Sequence, residues 1–264
     1  MDSTLKIPQR PLGSTGLNVS VLGLGTVKFG RNQKIKYPTF ELPTDKAICQ
    51  LLDDAKAYGI NLLDTAPAYG IAEERLGELL GTRRNEFVVI TKCGEEFVNG
   101  ESNYNFSAEH TRLSVERSLK RLKANRLDCV LVHCPRNDLE VLEKSPVLET
   151  LRAIKDRGDI RSFGASVNSI EGGMLALDLT DVVMVTYSAE DKAAAPVIRR
   201  AAELRKGVLI KKGLGSGTLT GGGTRSLEEM LWPIFSVAGI SSLIVGTLSP
   251  DHLRANVRAV AALV

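Results

Sequence analysis

Eight continuous apolar runs recur along the chain, separated by segments with helical spacing, and this alternation constrains the fold more than any other feature. Continuous runs, unlike strictly alternating ones, are typical of parallel strands that are buried on both faces. The predicted strands cover residues 19–25, 60–66, 87–92, 127–133, 160–166, 181–187, 207–212 and 241–246. Eight strands alternating with eight helical segments predict an α/β fold in which a parallel sheet closes on itself, the (β/α)8 TIM barrel.

Helix signals lie between these strands. Thr44 and Ser107 are placed to cap two helices, and Gly59 is placed to end the first of them. Pro233 interrupts a further helical pattern and is expected to kink or end that helix. The remaining helical patterns cover residues 146–158, 193–207, 226–235 and 249–264.

Two features bear on the domain organisation. An open doubly wound sheet is the alternative to the barrel, but its nucleotide fingerprint GxGxxG is missing, because "GLGTVKFG" lacks the third glycine. The segment "RPLGSTGLNVS" predicts a short N-terminal β-hairpin that turns at Ser14–Gly16 and caps the barrel floor. Because no repeat, linker or low-complexity segment interrupts the pattern, residues 1–264 are expected to form a single domain.

The charges and the cysteines exclude several kinds of partner. The 34 basic and 31 acidic residues are spread along the chain and give a net charge of +3, so no nucleic-acid surface is expected. No apolar run approaches the ~20 residues of a membrane-spanning helix, and the polar start is unlike a signal peptide. The four cysteines form no CxxC pair, which favours reduced thiols in a cytoplasmic protein. No metal site is predicted.

Ionisable side chains end three consecutive predicted strands. Asp64 ends the apolar run of the second strand, with Tyr69 five residues further on, while Lys92 ends the third strand and His133 the fourth. A single residue of this kind has a structural explanation, since strand-end lysines extend to solvent and lone histidines pack in cores. Because the carboxyl ends of barrel strands meet at the face that carries the chemistry, the four together favour an active site.

These four residues suit the transfer of a proton to a negatively charged oxygen. A phenol has an ordinary pKa near ~10, and a neighbouring ammonium lowers that pKa while a carboxylate holds the lysine in place. A neutral histidine can donate a hydrogen bond to a carbonyl oxygen and share its developing charge. Such a site protonates an oxyanion as hydride reaches the carbon. None of the four side chains can supply hydride, so a nicotinamide cofactor is implied.

The chain resembles the aldo-keto reductases in five motifs, taken in order: "LGLGTVKFG", "LLDTAPAYG", "ITK", "LVHCP" and "GVLIKKGLGSG". The resemblance covers nearly the whole chain, and the DTAxxYG motif is specific. It implies that Tyr69 is the general acid, that Lys92 and Asp64 tune it, and that His133 positions the carbonyl. It also implies reduction of small aldehydes or ketones to alcohols with NADP(H), or with NAD(H) as the alternative, bound at the C-terminal mouth of the barrel.

The same resemblance implies a set of cofactor-binding residues. The glycine-rich stretch 213–217 would follow the pyrophosphate, Ser166 would contact the carboxamide, and residues 246–256 would hold the adenosine end. The full expected set is Gly25, Thr26, Ser166, Lys211, Gly213, Leu214, Gly215, Gly217, Gly246, Thr247, Leu248, His252 and Asn256.

Several positions depart from the family pattern. Val167 and Met184 stand where many members carry Asn and Gln that hold the carboxamide, and Lys211 stands where an aromatic ring commonly stacks on the nicotinamide. Asn168 is one residue out of register and is expected to face away from the site, because successive strand side chains alternate. Cofactor orientation would therefore depend on fewer groups than usual.

The outer walls of the site are also altered. Only Arg254 and Arg258 offer cations for a 2′-phosphate in the adenosine stretch, and their spacing puts them on one helix face. The loop 93–106 is expected to be the largest wall of an open substrate pocket.

Two other functions stay open at this point. A regulatory barrel that binds the cofactor with little turnover is favoured by the missing carboxamide contacts and disfavoured by the complete set of four residues. A Schiff-base lyase would use Lys92 as a nucleophile, but Asp64 close by keeps that lysine charged. The physiological substrate, the direction of reaction and the oligomeric state do not follow from the sequence.

Overall fold

A closed barrel of eight parallel strands forms the centre of the computed structural model, which describes residues 5–35, 40–215 and 225–264. The strands of these residues are β1 (Gln9–Pro11), β2 (Asn18–Ser20), β3 (Leu22–Gly25), β4 (Leu62–Asp64), β5 (Val88–Cys93), β6 (Glu95–Val98), β7 (Glu101–Tyr104), β8 (Leu127–His133), β9 (Ile160–Ser166), β10 (Val182–Thr186), β11 (Gly207–Lys211) and β12 (Ser242–Val245). Around the barrel the order is β3, β4, β5, β8, β9, β10, β11, β12, and β12 pairs with β3 to close it. The (β/α)8 prediction is confirmed.

Helices surround the barrel, mostly between successive strands. They are α1 (Val27–Gly30), α2 (Asp45–Ala57), α3 (Ala72–Leu80), α4 (Ala108–Arg121), α5 (Asp138–Lys144), α6 (Val147–Arg157), α7 (Ile170–Leu179), α8 (Ala195–Glu203), α9 (Leu227–Phe235) and α10 (Pro250–Ala261), with 3₁₀ helices at Pro67–Tyr69 and Gly81–Glu86. Thr44 and Ser107 cap α2 and α4 through their side chains, as their positions predicted. Pro233 lies inside α9, which ends two residues later. No helix among the described residues is both long and apolar enough to cross a membrane.

The N-terminal hairpin plugs the lower end of the barrel. Strands β1 and β2 pair antiparallel, with Arg10 opposite Val19. Leu12, Leu17 and Val19 from this hairpin join an apolar cluster with the inward-facing side chains of the barrel strands. Burial of each such side chain contributes about 1.5–3 kcal/mol. The hairpin therefore leaves the opposite, carboxyl-terminal end of the barrel as the open one.

A second hairpin stands at that open end, where the sequence analysis expected a loop. Strands β6 and β7 form an antiparallel ribbon in which Glu95 lies opposite Tyr104. The connecting residues Asn99 and Gly100 have φ angles of 54° and 79°. Positive φ at both positions is the requirement of a two-residue hairpin turn, and Asn-Gly is its strongest sequence signal. The ribbon holds its side chains in a fixed register beside the end of β5.

Candidate active site

Four ionisable side chains from neighbouring strands meet at the carboxyl-terminal end of the barrel. Asp64 is the last residue of β4, Lys92 lies near the end of β5, and His133 ends β8. Tyr69 is the last residue of the 3₁₀ helix that follows β4. All four line the same cavity. The structure therefore brings together the residues that the sequence predicted as one site.

Lys92 is the centre of a buried hydrogen-bond network. Its Nζ donates to Asp64 Oδ1 at 2.6 Å, to the Thr65 carbonyl oxygen at 2.9 Å and to the Tyr69 hydroxyl at 3.2 Å. Lys92 is only 1% exposed, and a buried ammonium is tolerated only when it is paired and hydrogen-bonded. The Tyr69 hydroxyl also lies 3.5 Å from Asp64 Oδ2. The network fixes a phenol against an ammonium.

Burial and charge act in opposite directions on these groups. Burial raises the pKa of Tyr69 to about 12, although Lys92 acts to lower it. Burial alone would lower the pKa of Lys92, but Asp64 and Tyr69 beside it outweigh burial and raise that pKa. The Lys92 ammonium thus lowers the pKa of the phenol, as expected, but burial raises that pKa by more. Tyr69 keeps its proton at neutral pH, as a proton donor must.

Two glycines allow the turn that delivers Tyr69. Gly70 has a φ of +63°, and a Cβ there would lie 2.2 Å from the Gly30 carbonyl oxygen. A Cβ on Gly30 would in turn lie 2.4 Å from the Tyr69 carbonyl oxygen. Because both contacts are with backbone atoms, neither position can accept a side chain without displacing the turn.

Glu95 lies against His133, and the sequence analysis missed this residue. Its Oε2 is 2.8 Å from Nδ1 of His133, which is hydrogen-bond distance, although the line between the two atoms departs from the ideal direction. Glu95 begins β6 and is 8% exposed. Reading Asn99-Gly100 as a hairpin turn would have placed the Glu95 side chain on a fixed ribbon next to the strand ends.

The Glu95–His133 contact joins an ionised carboxylate to an imidazole. Burial opposes ionisation of Glu95, but His133, Ser102 and Arg31 outweigh it and lower the pKa of Glu95 to about 2. Burial lowers the pKa of His133 below its ordinary 6.5, Glu95 opposes this shift, and Lys92 adds to it. The carboxylate therefore stays charged at all physiological pH values, while the imidazole is mostly neutral at pH 7.

A cavity of about 1110 Å³ extends from these residues across the open end of the barrel. Nine of the residues expected to bind a cofactor line it: Gly25, Ser166, Lys211, Gly213, Leu214, Gly246, Thr247, His252 and Asn256. Thr26, Gly215 and Leu248 do not line it. Thr26 is fully buried and its hydroxyl donates to the Asp64 carbonyl oxygen at 3.0 Å, so it supports the strand end. Gly217 lies outside the described residues.

Comparison with known proteins decides the family. The model of the aldo/keto reductase family matches residues 21–230, which is most of the barrel.

This chain belongs to the aldo/keto reductase family.

Three relatives illustrate where the chain lies within that family. It is 47% identical to a solved Pseudomonas aeruginosa protein described as a candidate aldo-keto reductase, with a TM-score of 0.91 over 100% of this chain and 98% of that chain. It is 30% identical over 229 residues to L-galactose dehydrogenase of Arabidopsis thaliana, covering 81% of this chain and 68% of that protein. It is also 30% identical over 199 residues to the NADH-specific methylglyoxal reductase of Escherichia coli, covering 69% and 60%. The protein is an oxidoreductase.

The cavity walls fit the nicotinamide dinucleotide that an aldo/keto reductase uses. Hydroxyl and amide groups of Ser166 and Asn168 lie at the end nearest the four ionisable residues, where a carboxamide needs donors and acceptors. Lys211 and Lys212 also line the cavity, and their ammonium groups suit phosphate. Asn256 on α10, a polar side chain that is largely buried, also lines the cavity.

Asn168 differs from expectation in this aldo/keto reductase. The prediction that it faces away from the site is wrong, because β9 ends at Ser166 and only Val167 turns into the core. Asn168 Oδ1 accepts a hydrogen bond from Lys211 Nζ at 3.3 Å, and Ser166 Oγ accepts another at 3.0 Å. Asn168 Nδ2 donates to the Pro135 carbonyl oxygen at 2.9 Å, which holds the amide in place.

Lys211 is held in the wall by these neutral oxygens. Burial, with a smaller contribution from the neighbouring Lys212, lowers the pKa of Lys211 to about 7. None of the ion pairs found within residues 5–35, 40–215 and 225–264 includes Lys211. The charge of this lysine therefore changes near neutral pH.

The cations expected at the adenosine end are not in the cavity wall. Arg254 Nη2 donates to Asp251 Oδ1 at 2.7 Å on the surface of α10, and neither Arg254 nor Arg258 lines the cavity. Arg225 and His252 line it instead.

Proposed function

We propose that this aldo/keto reductase reduces small aldehydes or ketones to alcohols with NADP(H), and that Tyr69 is the general acid. The observation that carries this proposal is the buried Lys92 ammonium, 2.6 Å from the Asp64 carboxylate and 3.2 Å from the Tyr69 hydroxyl. The pKa of this lysine is raised, so it stays protonated and cannot act as a nucleophile. It does stabilise a phenolate, which is what forms when Tyr69 gives up its proton.

Each residue of the group has a separate task. The bound dinucleotide supplies hydride. Tyr69 delivers its proton to the carbonyl oxygen, and the Lys92 ammonium stabilises the phenolate that is left. Asp64 keeps Lys92 charged and in place. His133 contacts the same oxygen and orients it.

The charge of the cavity wall supports NADP(H) over NAD(H). The only acidic side chains that line it among the described residues are Asp64, already paired with Lys92, and Glu95, which faces His133. The cationic side chains that line it are Lys28, Arg31, Lys34, Lys92, Arg136, Lys211, Lys212 and Arg225. An excess of cations favours the dinucleotide with the additional phosphate.

We expect NADPH to bind more tightly than NADH in a fluorescence titration of the two, side by side. The difference should shrink as salt rises, because part of the attraction comes from exposed cations. Equal affinity at low salt would argue against a 2′-phosphate preference. Binding of neither dinucleotide at millimolar concentration would argue against the proposed function itself.

We expect the affinity for NADPH to decrease as the pH rises above about 7, where Lys211 loses its charge in the free protein. The attraction of its ammonium for phosphate is present below that pH and is lost above it, by up to about tenfold per pH unit. Lys211→Met should bind NADPH more weakly at pH 6 and with little dependence on pH. Lys120→Met, on the outer face of α4, is the matched control. Parallel pH curves for wild type and Lys211→Met would exclude this role.

The substrates to try first follow from the relatives. One is named for methylglyoxal reduction and one for L-galactose dehydrogenation. We propose small 2-oxoaldehydes and aldose sugars as the substrate classes. Methylglyoxal is the probe for carbonyl reduction, and L-galactose is the probe for the reverse reaction, oxidation.

A further inference from the structure

We propose that Glu95 is a positioning residue that fixes a proton on Nδ1 of His133, so that only the doubly protonated ring can donate from Nε2 to a carbonyl oxygen. Carbonyl reduction then runs through an imidazolium–carboxylate pair rather than through a neutral histidine. This inference rests on the proposed function and adds to it the protonation state in which the site works.

The geometry of the contact determines where the proton lies. Glu95 Oε2 is 2.8 Å from His133 Nδ1. The contact departs from the ideal hydrogen-bond direction, but an ionised carboxylate can only accept and repels a lone pair on Nδ1. The hydrogen of a neutral ring is therefore favoured on Nδ1, which leaves the lone pair on Nε2. Nδ1 is buried, whereas the His133 side chain as a whole remains 22% exposed in the cavity wall. A substrate therefore meets the Nε2 side of the ring.

Glu95 is oriented by groups other than His133. Tyr104 lies directly opposite Glu95 in the β6–β7 ribbon, and Ser102 on the same facing strand acts to lower the pKa of the carboxyl group. Arg31 adds a positive charge nearby, and its guanidinium is fixed over the Phe97 ring at 3.5 Å from the centroid. Because the ribbon and Arg31 hold the carboxylate, it can impose a proton position on the imidazole.

The other charged and titratable groups around His133 do not supply an alternative partner. Lys92 on β5 and Lys211 on β11 are cations that disfavour a protonated ring. Tyr69 meets the ring edge-on, with centroids 6.2 Å apart, and stays protonated at neutral pH. Among these groups, Glu95 is thus the one that raises the pKa of His133 and favours the imidazolium.

The atoms and electrons of the reduction balance with the carbonyl substrate, the reduced dinucleotide and a proton from Tyr69. The hydride and its electron pair pass from the reduced dinucleotide to the carbonyl carbon, and the C–O double bond becomes single. The proton on the new hydroxyl comes from Tyr69, which regains one from solvent after the alcohol leaves. His133 keeps both protons and donates a hydrogen bond from Nε2 throughout.

The consequence is a pH dependence that a neutral histidine would not give. With saturating NADPH, kcat/KM for methylglyoxal should increase as the pH falls towards the lowered pKa of His133 and decrease by about tenfold per pH unit above it. The phenol of Tyr69 does not titrate in this range, so the decrease reports His133.

Glu95→Gln tests the assignment, because its amide can donate to Nδ1 and leave the hydrogen on Nε2. We expect roughly tenfold lower activity at pH 6 and a nearly flat profile up to pH 8. Glu95→Asp, which keeps the charge, should restore the slope. Glu96→Gln is the matched control, since Glu96 lies on the other face of the ribbon, where it pairs with Arg117 of α4. A wild-type profile that is flat from pH 6 to 8 would overturn the proposal.

A second readout does not depend on turnover. Nitrogen-15 NMR of histidine-labelled free protein at pH 8, with His133→Asn to assign the signals, should show hydrogen on Nδ1 in wild type and on Nε2 in Glu95→Gln. Hydrogen on Nε2 in the wild type would overturn the proposal whatever the activity. Hydrogen on Nδ1 without turnover of either probe would support the role of Glu95 on the ring and count against the proposed function.

Discussion

Replacing Tyr69 with phenylalanine is expected to reduce kcat/KM for carbonyl reduction by about three orders of magnitude. The phenol hydroxyl is the proton donor, and the Lys92 ammonium 3.2 Å away can act on the reaction only through the phenolate that Tyr69 leaves. The affinity for NADPH should change by less than about twofold, because the hydroxyl contributes mainly in the transition state.

The matched control is Tyr58→Phe, which removes the hydroxyl of a buried tyrosine at the end of α2. It should keep wild-type kinetics. The comparison is made with saturating NADPH at one pH for all variants, so that differences in Lys211 or His133 protonation do not enter it. If Tyr69→Phe retained more than about a tenth of the wild-type kcat/KM, another group would have to supply the proton.

Replacing Lys92 with methionine is expected to remove both activity and much of the stability. Lys92 is 1% exposed and pairs with Asp64 at 2.6 Å, so its loss leaves a buried carboxylate without a partner. Breaking a buried ion pair in this way costs about 3–5 kcal/mol of the free energy of unfolding. Urea unfolding followed by circular dichroism measures that loss.

A double variant separates the charge effect from simple loss of packing. Lys92→Met with Asp64→Asn removes both charges and should recover part of the stability but none of the activity. Because the Lys92 pKa is raised above 10.5 in the folded protein, the stability it contributes is present below that pH and is lost as the pH rises through the folded value. If the double variant were no more stable than Lys92→Met alone, the ion pair would not be what stabilises this end of the barrel.

The barrel and the four central residues could be predicted because they depend on local pattern. Continuous apolar runs identify buried parallel strands, and a closed parallel sheet places all strand ends on one face. The barrel therefore places Asp64, Lys92 and His133 on the same face, and this does not depend on where the helices begin and end. The side-chain distances among them confirm that geometry.

The features that escaped prediction depend on exact register and burial. Glu95 faces His133 because the Asn99-Gly100 turn folds residues 95–104 into a ribbon, which an apolar-run analysis reads as a loop. Asn168 enters the cavity because β9 ends two residues earlier, so strand alternation no longer applies. The raised pKa of Tyr69 follows from burial, and the degree of burial of a side chain cannot be read from the sequence.

The central claim is that hydride from a bound dinucleotide reaches a carbonyl carbon at the Tyr69 site, and label transfer tests it most directly. The purified protein is mixed with methylglyoxal and NADPH in which both hydrogens at C4 of the nicotinamide are deuterium, and the alcohol is analysed by mass spectrometry. We predict one deuterium per alcohol with wild type and almost none with Tyr69→Phe over the same time. Tight binding of NADPH with no deuterium in the product, across a panel of small aldehydes and aldoses, would contradict the account.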